Sequence, residues 1–90
     1  MENVRILLIE DDPFLRRACE TGLRKRGLNV LTAVDGEEGL RMARVESPDL
    51  ILMDMLMPKI SGVQALEELK SDDRTRAIPV VILSNSSLEA

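Results

Sequence analysis

The 90-residue chain contains no histidine, tryptophan or tyrosine, and only one phenylalanine and one cysteine. Without histidine the usual general base and the commonest zinc ligand are missing, and a lone Cys19 permits neither an internal disulfide nor a thiolate zinc cluster. The scarcity of aromatics removes the stacking platforms of single-strand nucleic-acid binders and leaves a core built from aliphatic residues and methionine. Positive charge is also short. Twelve Lys and Arg against sixteen Asp and Glu give a net charge of −4, which argues against phosphate-backbone binding, so no direct nucleic-acid partner is expected. The first apolar run, at residues 6–9, is far too brief for a secretory core or a membrane span. A cytoplasmic protein with no membrane contact is expected.

What the chain does have is a regular alternation of short apolar runs and amphipathic stretches. Residues 4–9, 28–33, 50–53 and 78–83 are rich in Val, Ile and Leu and read as strands buried in a parallel sheet. Between them lie three helical patterns. The first spans residues 13–26, with Asp12 as N-cap, Pro13 at the first helical position and Gly27 as terminator; its inward face should be Phe14, Leu15, Ala18, Cys19, Gly22 and Leu23. The second follows Asp35 and runs to about Val45, with Glu38 placed to complete the cap; the interior Gly39 costs it roughly 1 kcal/mol against alanine. The third opens with the capping box Ser61 and Gln64 and offers Val63, Leu66 and Leu69 to the core. Strand alternating with helix predicts an α/β fold, a doubly wound parallel sheet with helices on both faces.

In such sheets ligands gather beyond the carboxyl ends of the strands, and the acids fall there. Glu10 and Asp11 end the first strand, Asp54 ends the third and Ser84 the fourth. Three carboxylates at one rim repel unless a cation shares them, and an all-oxygen donor set selects magnesium, with manganese as its substitute, over zinc. The loop after Asp54 can add a backbone carbonyl, for which Leu56 is the candidate. Asp54 then keeps one oxygen free to attack phosphorus in line, giving an aspartyl phosphate. Asp12 and Asp35 need no role beyond capping, Met53, Met55 and Met57 read as core filling, Cys19 as a small buried hydrophobe, and the acidic and basic residues at 72–74 as a solvated connection.

Four segments, ILLIEDDP at 6–13, AVDGEE at 33–38, PDLILMDMLMP at 48–58 with Ser61-Gly62, and IPVVILS at 78–84, resemble the receiver domain of two-component response regulators. The likeness covers the whole chain. It implies a flavodoxin-like sheet of strand order 2-1-3-4, and residues 1–90 as a single, incomplete receiver domain, since the family pattern continues with a fifth strand and further helices. It implies Asp54 as phosphoacceptor, Asp11 and Asp54 as metal ligands, Glu10 binding metal through water, the Leu56 carbonyl as a further ligand, Ser84 as the switch hydroxyl, and Pro58 and Gly62 as shapers of the loop behind the site. The donor would be a histidine kinase or phosphotransfer protein, and the chain a signalling phosphoacceptor rather than an enzyme.

Departures from the family pattern keep other readings in view. Asn85 stands where a small residue is usual, and neither Lys59 nor Lys70 occupies the position of the family's phosphate-binding lysine. A receiver-like scaffold without phosphorylation is therefore the alternative, together with a fragment that forms a homodimer or swapped oligomer through an exposed fourth strand. A phosphatase of the haloacid-dehalogenase type would need a second aspartate two residues after the nucleophile, where Leu56 stands.

Overall fold

The structure, a computed structural model, describes residues 3–83. Seven elements alternate along it: β1 (Arg5–Ile9), α1 (Pro13–Lys25), β2 (Asn29–Ala33), α2 (Gly36–Glu46), β3 (Leu50–Asp54), α3 (Gly62–Ser71) and β4 (Val80–Leu83). All three strand pairings are parallel, in the order β2-β1-β3-β4. This is the doubly wound arrangement that the alternation of patterns implies, and its register matters for the site. Ile9 pairs with Ala33 on one side and Met53 on the other, so the residues just beyond, Glu10 and Asp54, emerge side by side at the same end of the sheet.

The caps explain where the helices begin. Asp12 Oδ1 accepts from the amides of Phe14 at 2.8 Å and Leu15 at 3.2 Å, Asp35 accepts from Glu38 N at 2.8 Å while Glu38 answers by binding Val34 N at 2.8 Å, and Ser61 and Gln64 close a reciprocal capping box. Each ties donors that a helix leaves unmatched at its first turn. Gly27, at φ +83°, ends α1 as expected of a residue without a Cβ. The fourth strand starts two residues later than its apolar run because the Ile78 amide turns back to the Thr75 carbonyl at 3.0 Å and Pro79 has no N–H to give. The connection before it is not merely solvated. Asp72 binds Arg74 and reaches Arg44 of α2 at 3.1 Å, and Thr75 is fully buried with its hydroxyl on the Leu69 carbonyl at 2.7 Å.

Leu7, Ile9, Ile51 and Met53 from the central strands, Leu40 and Ala43 from α2, and Ala65 and Leu69 from α3 form one buried cluster. Gly39 belongs to this packing: a Cβ there would collide with the side chain of Ile9, so its absence lets α2 lie directly on β1. Strand alternation turns Ile6 and Leu8 toward the other face, where α1 lies against β1 and β2.

Three sequence expectations fail here. The apolar stripe of α1 is not core: no residue of that helix is buried, Phe14 is 80% exposed, and Ala18 and Gly22 are exposed. Cys19 is half-buried rather than enclosed. In α3, Val63 faces outward at 53% exposure while Ala65 takes the inner position beside Leu69. Periodicity identifies an apolar side of a helix, whereas burial requires a neighbouring layer to cover it. Among the described residues β4 is a sheet edge, with Val81 47% exposed. No described helix is long and apolar enough to cross a membrane.

Candidate phosphoacceptor and metal site

The parallel register delivers three carboxylates to one place. Single oxygens of Glu10, Asp11 and Asp54 lie within 4.8 Å of one another. Glu10 and Asp54 are each only 3% exposed, and Asp11 is half-buried. Such grouping is unfavourable for anions alone. Glu10 shows the strain: burial, and then the negative charges of Asp54 and Asp11, push its carboxyl from the ordinary 4.5 up to about 7, against the opposing pull of the Asp12 amide, which donates to Glu10 Oε2 at 3.1 Å.

A hard dication resolves that conflict. The donor set is oxygen only, two members are largely withdrawn from water, and their reach suits a single small ion, so the residues present fit magnesium better than a soft or nitrogen-seeking metal.

The segments around the acids are held in place by main-chain contacts. Asp54 Oδ1 receives the Leu56 amide at 3.5 Å, which folds the start of the following loop over the carboxylate. Leu56 itself projects into solvent, 71% exposed, so its side chain has no packing role and its main chain is what borders the site. Behind Asp54 stands Gly62, whose amide donates to the Met55 carbonyl at 2.8 Å. Pro58 precedes a tight turn in which the Ile60 amide reaches the Pro58 carbonyl at 2.8 Å and Lys59 adopts φ +71°. Met53 is fully buried and Met57 packs against the core, as gap-filling methionines do.

Glu10, Asp11 and Asp54 are thus brought together, and Leu56 adjoins them. Ser84 and Asn85 lie outside the described residues. Lys59 is engaged elsewhere, with Asp35 at 3.2 Å and Glu37 at 3.5 Å, and Lys70 donates to the carbonyls of Arg76 and Ile78. Arg16, a basic residue of α1 outside its apolar stripe and given no role by the sequence, curls back to the strand end. Its Nη1 donates to the Glu10 carbonyl at 2.8 Å. The available signal was position: helical side chains lean toward the N-terminus, so a long one on the first turn reaches the preceding loop.

Residues 6–90 match the family model of the response regulator receiver domain. The chain belongs to the response-regulator receiver family. This receiver is 41% identical over 85 residues to the protein PilH of Pseudomonas aeruginosa, spanning 94% of its own length and 70% of PilH. With the transcriptional regulatory protein AfsQ1 of Streptomyces coelicolor it shares 39% identity over 79 residues, but there it spans only 34% of the longer protein. The receiver domain of sensor histidine kinase PA1611 from Pseudomonas aeruginosa, solved with a magnesium ion coordinated in its active-site cleft, superposes with a TM-score of 0.88 at 32% identity, covering 96% of this receiver and 70% of that chain. A response regulator receiver protein from Methanoculleus marisnigri gives a TM-score of 0.85 at 37% identity, over 87% of this chain and 63% of the other. The fold expected from the sequence, a flavodoxin-like sheet of order 2-1-3-4, is the one found.

Proposed function

We propose that this receiver accepts a phosphoryl group on Asp54 from the phosphohistidine of a histidine kinase or phosphotransfer protein, with magnesium held by Glu10, Asp11, Asp54 and the Leu56 carbonyl. The observation that carries the reading is the convergence of three carboxylates, two of them buried, with no Lys or Arg side chain paired to any of them among the described residues. Bound there, magnesium supplies charge neutralisation for an anionic nucleophile meeting an anionic phosphoryl group; manganese, with the same taste for oxygen, would serve as a substitute. Asp54 contributes the attacking carboxylate oxygen. As the new O–P bond forms, the N–P bond of the donor breaks, and the donor imidazole keeps the electron pair and takes up a proton. Glu10 and Asp11 orient the site, and Ser84 is assigned the switch hydroxyl on the resemblance alone. The chain acts as a signalling phosphoacceptor rather than as an enzyme turning over a substrate.

The test is incubation of the chain with a small phosphodonor such as acetyl phosphate, with and without magnesium, followed by intact-mass analysis. The expected result is a gain of one phosphoryl mass that requires the metal and vanishes in Asp54→Asn. Absence of that adduct in the wild-type chain, alongside retained partner binding, would instead support the scaffold reading, which the engagement of Lys59 and Lys70 away from the site favours.

A further inference from the structure

Arg16 sits in the first turns of α1, half-buried, and is bonded to every residue of the β1–α1 turn. Its main-chain amide donates to the Asp12 carbonyl at 2.9 Å, and its Nη1 is shared between the carbonyl of Glu10 at 2.8 Å and that of Asp11 at 3.4 Å. Those two carbonyls lie beyond the end of the β1 ladder, and among the described residues no main-chain N–H reaches either of them. A charged donor on an otherwise unmatched carbonyl makes a stronger bond than a neutral one, and the one nitrogen serves both peptide units, the bond to Glu10 being the shorter.

We infer that Arg16 is the positioning residue of the divalent-cation site: it clamps the main chain of Glu10 and Asp11 so that both carboxylates face Asp54. The inference rests on the proposed reading of that cluster as a magnesium site. It has a distinctive sign. A cation placed near a metal site repels the metal, so if Arg16 acted only through its charge, removing it would tighten magnesium binding. If Arg16 holds the acids in place, removing it loosens the site and weakens binding, as loss of groups that orient metal ligands generally does.

Calorimetric titration of the 90-residue chain with magnesium chloride decides between these. Arg16→Met keeps the stem and removes the donors; its magnesium dissociation constant is expected to rise roughly tenfold. Arg16→Lys keeps the charge with a single, unforked head and is expected to lie between the two. Arg17→Met removes an equal charge from an exposed neighbour on the same helix and is expected to change binding by about twofold or less. Unchanged or tighter binding by Arg16→Met overturns the inference while leaving the magnesium site standing. Failure of the wild-type chain to bind magnesium sinks the site reading and the inference together. Should Arg16→Met not fold, as judged by circular dichroism, Arg16→Gln, uncharged and too short to reach both carbonyls, carries the test, and wild-type affinity in that variant overturns the inference.

Discussion

Gly62 stands so close to the end of β3 that a Cβ added to it would lie 2.9 Å from the carbonyl oxygen of Asp54 and 2.8 Å from Cα of Met55. Neither atom is the end of a flexible side chain. The obstruction can be relieved only by moving β3's end or the start of α3. Gly62→Ala is therefore expected to destabilise the chain by roughly 1–3 kcal/mol, measured by urea unfolding, and to weaken magnesium binding, measured by calorimetry. A fully stable variant with unchanged affinity would show that the loop gives way without cost.

Gly39 offers a second, opposed expectation. Helix propensity alone says that alanine should stabilise α2 by about 1 kcal/mol, whereas the Ile9 side chain fills the space that a Cβ would take. Packing should win, because Ile9 is fully buried and enclosed by the central cluster. Gly39→Ala is expected to lower stability by roughly 1–3 kcal/mol in urea unfolding. An increase would mean that the Ile9 side chain repacks freely.

The raised carboxyl of Glu10 makes stability and metal binding depend on pH in opposite ways. With a folded value of about 7 against an ordinary 4.5, the native chain binds more protons than the unfolded chain between those limits, so the metal-free protein loses stability as pH rises through that window. The loss attributable to this group is on the order of 2–3 kcal/mol, and Glu10→Gln should largely abolish it in unfolding experiments run from pH 4.5 to 8. Magnesium affinity should climb over the same interval, with close to one proton released per ion bound near pH 6 and almost none at pH 8. Calorimetry in two buffers of different ionisation enthalpy checks the proton count.

Among the described residues, the exposed edge of β4 and the uncovered side of α1 bear on association. Val81 is 47% exposed on the edge strand, and Phe14 is 80% exposed on α1. Edge strands with apolar surface tend to pair with other chains. The mass from light scattering is expected to rise with concentration, and Val81→Lys to shift it back toward a monomer. A constant monomeric mass up to millimolar concentration would count against association through this surface.

Most of the architecture could be read in advance because strands, caps and acids leave local marks. The apolar runs ending in Ile9, Ala33 and Met53 form the expected parallel ladder, and Asp12, Asp35 and Ser61 each cap a helix as their types suggest. Failures occur where the answer depends on a distant layer. Phe14 and Val63 sit at sound helical positions, yet nothing among the described residues covers them. The Arg16 clamp and the tight approach of Gly62 to Asp54 are contacts between segments, and neither residue type announces them. The site itself was legible as a set of residues, while the burial of Glu10 and its shifted ionisation follow from how closely β1 and β3 bring their ends together.

That closeness makes the chemistry a property of alignment. The ladder joins Ile9 to Met53, and a slip of β3 by a single residue would turn Asp54 to the reverse side of the sheet and leave Met53 or Met55 opposite the acids that follow β1. The apolar side chains that forbid such a slip carry none of the charge gathered at the site. Substitutions among Leu7, Ile51 and Met53 that preserve bulk but blur the alignment should silence the site while every one of its acids is still present.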